Sequence, residues 1–370
     1  MAWIVGLDQQ VRRWSRLQVS GDGVRLLEGR DAEPQVEQLL RSVGGRVGIE
    51  GVLADLDRLA VVTEPPADAA TYGFCWNDDD VADRRWWPQG ITTSADANDT
   101  AQIGGREVVV VAWYAKRERG RTPGARLTFV DVTDRSAPRY RHVLLVEPRR
   151  DRLTRRVSTR PVPVHAGGIV WYGSSILVAD TRGGFRTFMV DDLCRAAPGR
   201  GPDGHGDGKH HYLLPQRSSY RAVNDRGFLP VNFSFVSLDR SGADHQLIAG
   251  EYGRGNASPR LIRFGLDPTR LSLATTDGVA RPLEVLTGQP THMQGATMVD
   301  GTTYVSTSRG ESTPGSLWVR RAGENAREHR GVLAIGPEDL SYWPQHDELW
   351  NCSEYPGRRY VYALPRARFG

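Results

Sequence analysis

Cysteine is scarce in this chain of 370 residues, which contains only Cys75, Cys194 and Cys352. The three form no C-x-x-C pair and match no zinc-binding spacing, and their odd number does not suit a framework of disulfides. Free thiols are typical of proteins in a reducing compartment. We therefore expect a cytoplasmic protein.

Long apolar runs and long basic runs are absent as well. No stretch of 18 apolar residues occurs, and the apolar run near Trp3 is too short for a signal peptide, so we expect no membrane partner. Lysine is limited to Lys116 and Lys209, so the net charge of +4 depends on arginine. Without a long basic run, a zinc-finger spacing or an RNP-like motif, we expect no nucleic-acid partner.

The common catalytic motifs are also missing. The sequence has no G-x-S-x-G, H-E-x-x-H or C-x-x-C, so hydrolase triads, zincin chemistry and thiol redox chemistry have no direct support. A function must therefore be sought in residues that the fold brings together.

What the sequence does have is turns and short apolar stretches. Its 41 Gly and 22 Pro, with 39% hydrophobic residues, favour many short strands over long helices. Five units share one order: a strand, a turn, a second strand, a bend with an Arg near a Gly, and a third strand. Their first strands contain or follow "PQGITTS", "VHAGG", "NFSFVSLD", "MQGATMVDG" and "PEDLSYW".

A fourth strand is predicted between consecutive units, where further apolar stretches occur. The fifth unit has no such stretch after it, and residues 72–76 are expected to fill that place by pairing with its third strand near residues 359–364. Radial four-stranded repeats closed in this way are typical of a β-propeller. We predict an all-β propeller of five blades over residues 69–370. A sixth blade within residues 1–68 stays open as an alternative.

Residues 1–68 have a different pattern and are predicted to form an extension packed on the ring. The stretch "DAEPQVEQLLRSVG" has an acidic start and apolar residues at helical spacing, which predicts a helix. The stretch "GVLADLDRLAVV" suits a helix or a strand. The extension is therefore expected to be partly helical.

Several segments resemble those of a family of actinobacterial propeller proteins, many of them secreted and without assigned function. The resemblance covers roughly residues 72–364 and implies the propeller fold, but no site. The chain lacks the export signal usual in that family, and its first 68 residues differ from theirs. More distantly it is similar to lactonase-like and strictosidine-synthase-like propellers, from which no ligand residue can be transferred. The segments are "WWPQGITTS", "VHAGGIVWYG", "FSFVSLDR", "GPEDLSYWP" and "SEYPGRRYV".

Two sets of equivalent positions are expected to meet at one mouth of the central channel. One set enters the innermost strand of each unit, and the other lies at the bend after the second strand. Polar side chains that differ from unit to unit are unlike packing residues, which favours a functional mouth. The entry set is Gln89, His165, Ser234, Gln294 and Glu338. The bend set is Trp113, Asp180, Glu251, Ser308 and Glu354.

The candidate catalytic residues are a histidine and three glutamates. His165 suits proton transfer at neutral pH, and the alternative is a histidine that bonds neighbouring backbone across blades. Glu338 is adjacent to Asp339, and only one of two consecutive strand residues should face the channel. Glu251 and Glu354 each precede a Tyr, which also suits a shared structural role. Converging carboxyl groups would raise one pKa, or would bind Ca²⁺ with amide and carbonyl oxygens.

The remaining positions are candidates for substrate binding. Gln89, Trp113, Asp180, Ser234, Gln294 and Ser308 complete the two sets. Bend arginines suit an anionic group, and the alternative is that each pairs with a carboxylate of the next blade. These arginines are Arg182, Arg254, Arg309 and Arg358.

Two functions remain open at this point. One is an enzyme of hydrolase, lyase or cyclase type that acts on a polar or amphipathic small molecule at the channel mouth. The sequence indicates no definite cofactor for such an enzyme, and a role in specialised biosynthesis would suit it. The other is a non-catalytic propeller that binds a ligand or a protein. Catalysis predicts one deep site with a perturbed His or Glu, whereas binding predicts several equivalent sites.

Overall fold

The structure is a computed structural model that describes residues 15–17, 23–117, 123–196, 210–253 and 259–369. Strands predominate in this part of the chain, which confirms the predicted all-β class. Arg254 of the predicted bend arginines lies outside the described residues.

The strands of the described residues are numbered in chain order. The first fourteen are β1 Ser15–Leu17, β2 Val24–Glu28, β3 Arg58–Leu59, β4 Val61–Val62, β5 Tyr72–Cys75, β6 Trp86–Thr93, β7 Val108–Ala115, β8 Ala125–Asp131, β9 Arg139–Arg150, β10 Val157–Pro161, β11 Ile169–Tyr172, β12 Ser175–Asp180, β13 Gly184–Met189 and β14 Cys194–Arg195. The next fourteen are β15 Tyr212–Asn224, β16 Phe235–Asp239, β17 Gln246–Gly250, β18 Leu261–Asp267, β19 Ser272–Leu273, β20 Val279–Ala280, β21 Pro282–Thr287, β22 Met293–Val299, β23 Thr302–Thr307, β24 Pro314–Arg320, β25 Arg327–Ile335, β26 Pro337–Trp343, β27 Glu348–Ser353 and β28 Tyr360–Pro365. The helices are α1 Glu33–Val43, α2 Gly48–Leu53, α3 Asp78–Ala82 and α4 Ser94–Ala97.

Antiparallel runs of four strands recur along the chain. Run 1 is β6–β7–β8–β9, run 2 is β11–β12–β13–β15 and run 3 is β16–β17–β18–β21. Run 4 is β22–β23–β24–β25, and run 5 is β26–β27–β28–β5. The first strand of each run contacts the first strand of the next, and β26 of run 5 contacts β6 of run 1. The first strands therefore form a ring, and the protein has a β-propeller fold.

Glycines allow the first strands to approach one another closely. A Cβ on Gly90 of β6 would lie 2.8 Å from the backbone of Gly168, next to β11. A Cβ on Gly295 of β22 would lie 2.6 Å from the Cα of Asp339 in β26. Any larger residue at these positions would push the strands apart, so the narrow ring depends on them.

The end of the chain is joined to its early part by strand pairing. Strand β5 pairs antiparallel with β28, with Cys75 opposite Tyr360 and Tyr72 opposite Ala363. This is the pairing expected for the closing strand. Runs 1 and 2 share one sheet, because β9 and β15 also pair in parallel. The division into five blades therefore stays an interpretation of the strand order.

The described residues before β5 pack against outer strands of the ring. The predicted helix is present as α1, which begins with Glu33 and Pro34 and ends at Gly44, with φ 96° in the left-handed region. The ambiguous stretch after it forms α2 and then the short strands β3 and β4. Strands β1 to β4 pair with outer strands of runs 1, 2, 3 and 5. The boundary at residue 68 stays a prediction.

Apolar clusters between neighbouring runs form the core. Between runs 1 and 5, Trp76 contacts Trp113 with ring centroids 5.0 Å apart, and Trp343 contacts Trp350 at 5.8 Å. All four indoles are buried. In the described residues, no helix has both the length and the apolar character needed to cross a bilayer.

Candidate active site

Two glutamates form the centre of the candidate site, and we call them the acid pair. Glu338 lies at the start of β26 and is 2% exposed, whereas Glu354 directly follows β27 and is partly buried. Gln294 donates a hydrogen bond from Nε2 to Oε1 of Glu338 at 3.0 Å. Gln89 donates from Nε2 to Oε2 of Glu354 at 2.9 Å. The fold thus brings together four of the predicted residues, from three different runs.

A β-bulge explains why Glu338 and its neighbour are both buried. The pairing of β26 with β27 shifts between Pro337 and Leu340, so the alternation of faces is interrupted there. Asp339 is fully buried and accepts hydrogen bonds from the backbone N–H groups of Leu340, Ile91 and Ile169. The expectation that only one of the two acidic residues would face the interior of the ring is therefore wrong.

The two members of the acid pair have different electrostatic surroundings. Burial raises the pKa of Glu338 well above its usual value, and the charges of Glu354 and Asp339 raise it further. Burial also raises the pKa of Glu354. Hydrogen bonds from Gln89 and Tyr355 oppose that rise, as does the positive charge of Lys116. Glu338 is therefore the member that holds a proton more strongly.

His165 stacks on Tyr114, a residue on which the charges of the acid pair act. The imidazole centroid is 4.2 Å from that of Tyr114, whose own pKa is raised by burial and by the charges of Glu354 and Glu338. His165 is exposed to solvent, and desolvation by the protein around it lowers the pKa of His165 to about 4. Within the described residues its ring nitrogens make no hydrogen bond, so the ring is neutral at pH 7 and its nitrogens are available to a ligand.

Aromatic pairs recur where one run meets the next around the mouth. Tyr114 of run 1 contacts His165 before run 2, and Tyr355 of run 5 contacts Trp87 of run 1 with centroids 6.0 Å apart. A third pair follows the same pattern between runs 3 and 4, where Tyr252 and His292 are 5.2 Å apart. All six side chains are partly or largely exposed. Lys116 places its ammonium 3.2 Å from the Trp87 ring centroid. Partly exposed aromatic rings therefore occur at three junctions between runs.

Further carboxyl groups extend from the acid pair into the ring. Asp96, on α4, accepts hydrogen bonds from the hydroxyls of Thr92 in β6 and Ser341 in β26, at 2.6 and 2.9 Å. Burial raises its pKa to about 6. The Asp96 charge contributes to the raised pKa of Asp339. The buried acids therefore influence one another from the mouth to the far side of the ring.

Several predicted residues lie outside this cluster. Glu251 is 7% exposed and pairs with Arg260, whose Nε and Nη2 donate to it at 2.6 and 2.8 Å. Asp180 pairs with Arg186 at 2.8 Å. Trp113 is fully buried in the core, where Arg126 lies 4.6 Å from its ring. The prediction that Trp113 binds a substrate is therefore wrong, since its indole is buried in the core, whereas the next residue, Tyr114, is partly exposed.

The serine hydroxyls bond within the protein, and the binding of an anionic group by the bend arginines stays a prediction. Ser234 accepts a hydrogen bond from the Tyr252 backbone N–H at 3.0 Å, which joins the ends of β16 and β17. Ser308 accepts one from the Gly310 backbone N–H at 3.3 Å within a turn. Arg182 and Arg309 are exposed, as is Arg358, which lies 5.8 Å from the Tyr355 ring. The arginine buried beside the site is instead Arg359.

Sequence reasoning missed a second buried network in run 1. Asp80 of α3 accepts hydrogen bonds from Arg126 at 3.1 Å and from the Tyr140 hydroxyl at 2.7 Å. It also contacts Nε2 of His142 at 3.0 Å, and Thr128 contacts Nδ1 at 2.7 Å. Burial lowers the pKa of His142 to about 3. All five residues are buried, and this network holds α3 on run 1. The acidic run after Asn77 was the only signal for it.

Metal binding finds no support in the described part of the chain. There, no group of three or more His, Cys, Asp and Glu side chains is arranged to hold a metal ion. The buried carboxyl groups instead accept hydrogen bonds from amides, hydroxyls and backbone N–H groups. The suggested Ca²⁺ site has no donor set among these residues.

Comparisons with known proteins find only remote structural neighbours. No protein-family model and no curated protein sequence matches the chain. A GH43_1 enzyme from Xanthomonas citri complexed with xylotriose is 10% identical over 77% of this chain and 88% of that chain, with a TM-score of 0.36. A thermostable family-43 glycoside hydrolase is 12% identical over 68% of this chain and 84% of that chain, with a TM-score of 0.33. Kuenenia stuttgartiensis hydrazine synthase is 11% identical over 65% of this chain and 70% of that chain, with a TM-score of 0.31. At these values none of the likenesses bears on the chemistry of this chain.

Proposed function

We propose that this protein is a hydrolase that acts on a polar small molecule by acid–base catalysis at the channel mouth. The observation that carries the proposal is the acid pair itself. The two carboxyl groups act on each other through their charges but accept hydrogen bonds from different partners. Environments that push two pKa values apart define an acid and a base. Glu338 is the acid, and Glu354 is the base.

The roles follow from the hydrogen bonds. Gln294 donates to one oxygen of Glu338, which leaves the other oxygen to hold the proton and donate it to the leaving-group oxygen. Gln89 and Tyr355 donate to Glu354 and favour its ionised form, which suits a base that takes a proton from the attacking water. The bond to the leaving group breaks as water adds, and each carboxyl later regains its starting state by exchange with solvent.

The surroundings of the acid pair indicate the kind of substrate. The half-exposed rings of Trp87, Tyr355 and Tyr114 suit flat, partly apolar faces. The amides of Gln89 and Gln294, with the neutral imidazole of His165, suit hydroxyl groups. A pair of carboxyl groups with one proton between them is the usual arrangement for cleaving glycosidic bonds. We therefore propose a glycoside-like substrate, with His165 as a hydrogen-bond acceptor.

Other features of the proposal come from the sequence. The resemblance to actinobacterial propellers, a cytoplasmic location and a role in biosynthesis remain proposals. Lyase or cyclase chemistry would use the same acid and base, and it differs in that no water is consumed.

The experiment is hydrolysis of a panel of p-nitrophenyl pyranosides and furanosides, with p-nitrophenyl acetate as the ester comparison. We expect at least one glycoside to be cleaved and the rate to fall at least about 10²-fold in Glu338→Gln and in Glu354→Gln. Glu324→Gln, in an exposed turn after β24, is the matched control and should keep the rate. Full activity of folded Glu338→Gln would contradict the assignment.

The repeated aromatic pairs favour a second function, that of a binding propeller. Three junctions between runs carry such a pair, whereas the acid pair occurs once. A binding protein would keep its affinity for a ligand in Glu338→Gln and lose it in Trp87→Ala and Tyr252→Ala. Calorimetry with the same glycosides separates this function from catalysis.

A further inference from the structure

Two entry loops place a histidine against a tyrosine of the preceding run in the same way. His165 contacts Tyr114 before run 2, and His292, directly before β22 of run 4, contacts Tyr252 with ring centroids 5.2 Å apart. Each loop also has a residue other than glycine in the left-handed region, namely Ala166 with φ 53° and His292 itself with φ 63°. A Cβ makes this backbone unfavourable, and such strain tends to occur at functional sites.

The Tyr252–His292 pair is joined to one member of the acid pair by short links. The backbone N–H of Met293 donates to the carbonyl of Tyr252 at 3.1 Å, and the next residue, Gln294, donates to Glu338 at 3.0 Å. His292 is exposed, Met293 is buried and Gln294 is partly exposed, so the histidine and the glutamine both lie on the solvent side. Two residues span at most about 7 Å of chain. The pair therefore adjoins the amide that binds Glu338.

The tyrosine–histidine pair before run 2 is joined in a similar way to the other member. Ala166, which follows His165, accepts a hydrogen bond through its carbonyl from the backbone N–H of Gly90 at 3.2 Å. Gly90 directly follows Gln89, which donates to Glu354 at 2.9 Å. Each carboxyl group of the acid pair thus has an amide partner, and each amide adjoins one tyrosine–histidine pair.

The side chains of the Tyr252–His292 pair are open to a ligand. His292 is exposed and Tyr252 is partly exposed. The ring nitrogens of His292 make no hydrogen bond within the described residues, so they can bond to hydroxyl groups. A tyrosine ring offers a flat apolar face. Together they suit a ring-shaped group that carries hydroxyls or other polar substituents.

We propose that Tyr252 and His292 form the binding site for the leaving group of the substrate. The inference rests on the proposed function, in which Glu338 donates a proton to the leaving-group oxygen, so the leaving group lies on the Glu338 side. The tyrosine–histidine pair on the Glu354 side then contacts the part of the substrate that receives the water. This narrows the substrate class to glycosides whose leaving group is itself a ring.

The test is calorimetry on the full chain with p-nitrophenyl and methyl thioglycosides of the sugars in the hydrolysis panel. Sulfur in place of the leaving-group oxygen resists cleavage, and the two compounds of each sugar differ only in the leaving group. We expect Tyr252→Ala to weaken binding of a p-nitrophenyl compound at least about fivefold and that of its methyl counterpart less than about twofold. Tyr252→Phe keeps the ring and should keep both affinities. His211→Ala removes an exposed histidine directly before the outer strand β15 and is the control, with both affinities unchanged.

His292→Gly makes the test independent of the stability of Tyr252→Ala. Glycine adopts φ 63° without strain, so the melting temperature should not fall by more than about 3 °C. The affinity for the p-nitrophenyl compound should still fall at least about threefold, the loss expected for one hydrogen bond.

Three results would overturn the proposal. They are an unchanged p-nitrophenyl affinity in folded Tyr252→Ala and His292→Gly, equal losses for the p-nitrophenyl and methyl compounds, and failure of every compound to bind the wild-type chain. Failure of the proposed hydrolase function would show separately, as glycoside hydrolysis that persists in Glu338→Gln or as p-nitrophenyl glycosides that bind and are not cleaved.

Discussion

Replacing Asp96 with Asn should make the protein more stable at neutral pH. The Asp96 carboxyl is 7% exposed and bridges β6 and β26 through Thr92 and Ser341. Both hydroxyls donate to the same oxygen, and the Asn carbonyl can accept both bonds. The substitution therefore removes a buried charge and keeps the bridge between the two strands.

The size of the effect follows from the raised pKa. Burial moves the pKa of Asp96 from 3.8 to about 6. Each pKa unit corresponds to about 1.4 kcal/mol, so the carboxyl costs the folded state up to about 3 kcal/mol once ionised. The folded state binds the proton more tightly than the unfolded state, so this group's contribution is retained below pH 4 and lost as pH rises through 6.

The assay is urea denaturation of wild type and Asp96→Asn between pH 3.5 and 8. The difference in unfolding free energy should move in favour of the variant by about 2–3 kcal/mol between pH 4 and 7. Asp68→Asn is the control, because Asp68 is exposed and takes part in none of the ion pairs of the described residues, so this variant should follow the wild-type pH dependence. If the curves of Asp96→Asn and wild type stay parallel over this range, the buried carboxyl is not destabilising and the reasoning is wrong.

Two further substitutions separate catalytic from structural side chains. His165→Ala should lower turnover by about 10²-fold or more. It should leave the melting temperature nearly unchanged, since the ring nitrogens of His165 are not bonded within the described residues. Calorimetry and rate measurements on the same sample test this, and a lower melting temperature with retained activity would mean that His165 holds blades together. Glu251→Gln should lower the unfolding free energy by about 3 kcal/mol, because it removes one partner of a buried pair with Arg260, and should change turnover less than twofold. A loss of turnover without a loss of stability would mean that Glu251 belongs to the active site.

Repetition in the sequence was enough to determine the fold and part of the site. Apolar stretches with equivalent bends predicted the propeller, and the same alignment selected Gln89, Gln294, Glu338 and Glu354 as neighbours. This succeeded because strands in radial repeats have equivalent ends on one face, so residues far apart in sequence meet there. The pairing of β5 with β28 was expected for the same reason.

The face on which each side chain lies was decided only by the tertiary structure. Successive strand residues point to opposite sides of the sheet. An error of one position in aligning the repeats therefore assigns a core residue to the site, and a site residue to the core. Trp113 and Tyr114 differ in this way, as do Arg358 and Arg359. The bulge at Glu338 and Asp339 buries both residues, and the local sequence pattern gives no sign of it.

Ion pairing was likewise beyond the sequence. Glu251 and Glu354 both precede a tyrosine after a second strand, yet one is neutralised by Arg260 and the other accepts from Gln89. Their difference depends on which side chain of a neighbouring strand comes within about 3 Å, a distance set by packing across the ring. The sequence determined where carboxyl groups would gather, and the packed strands decided which of them remain free for chemistry.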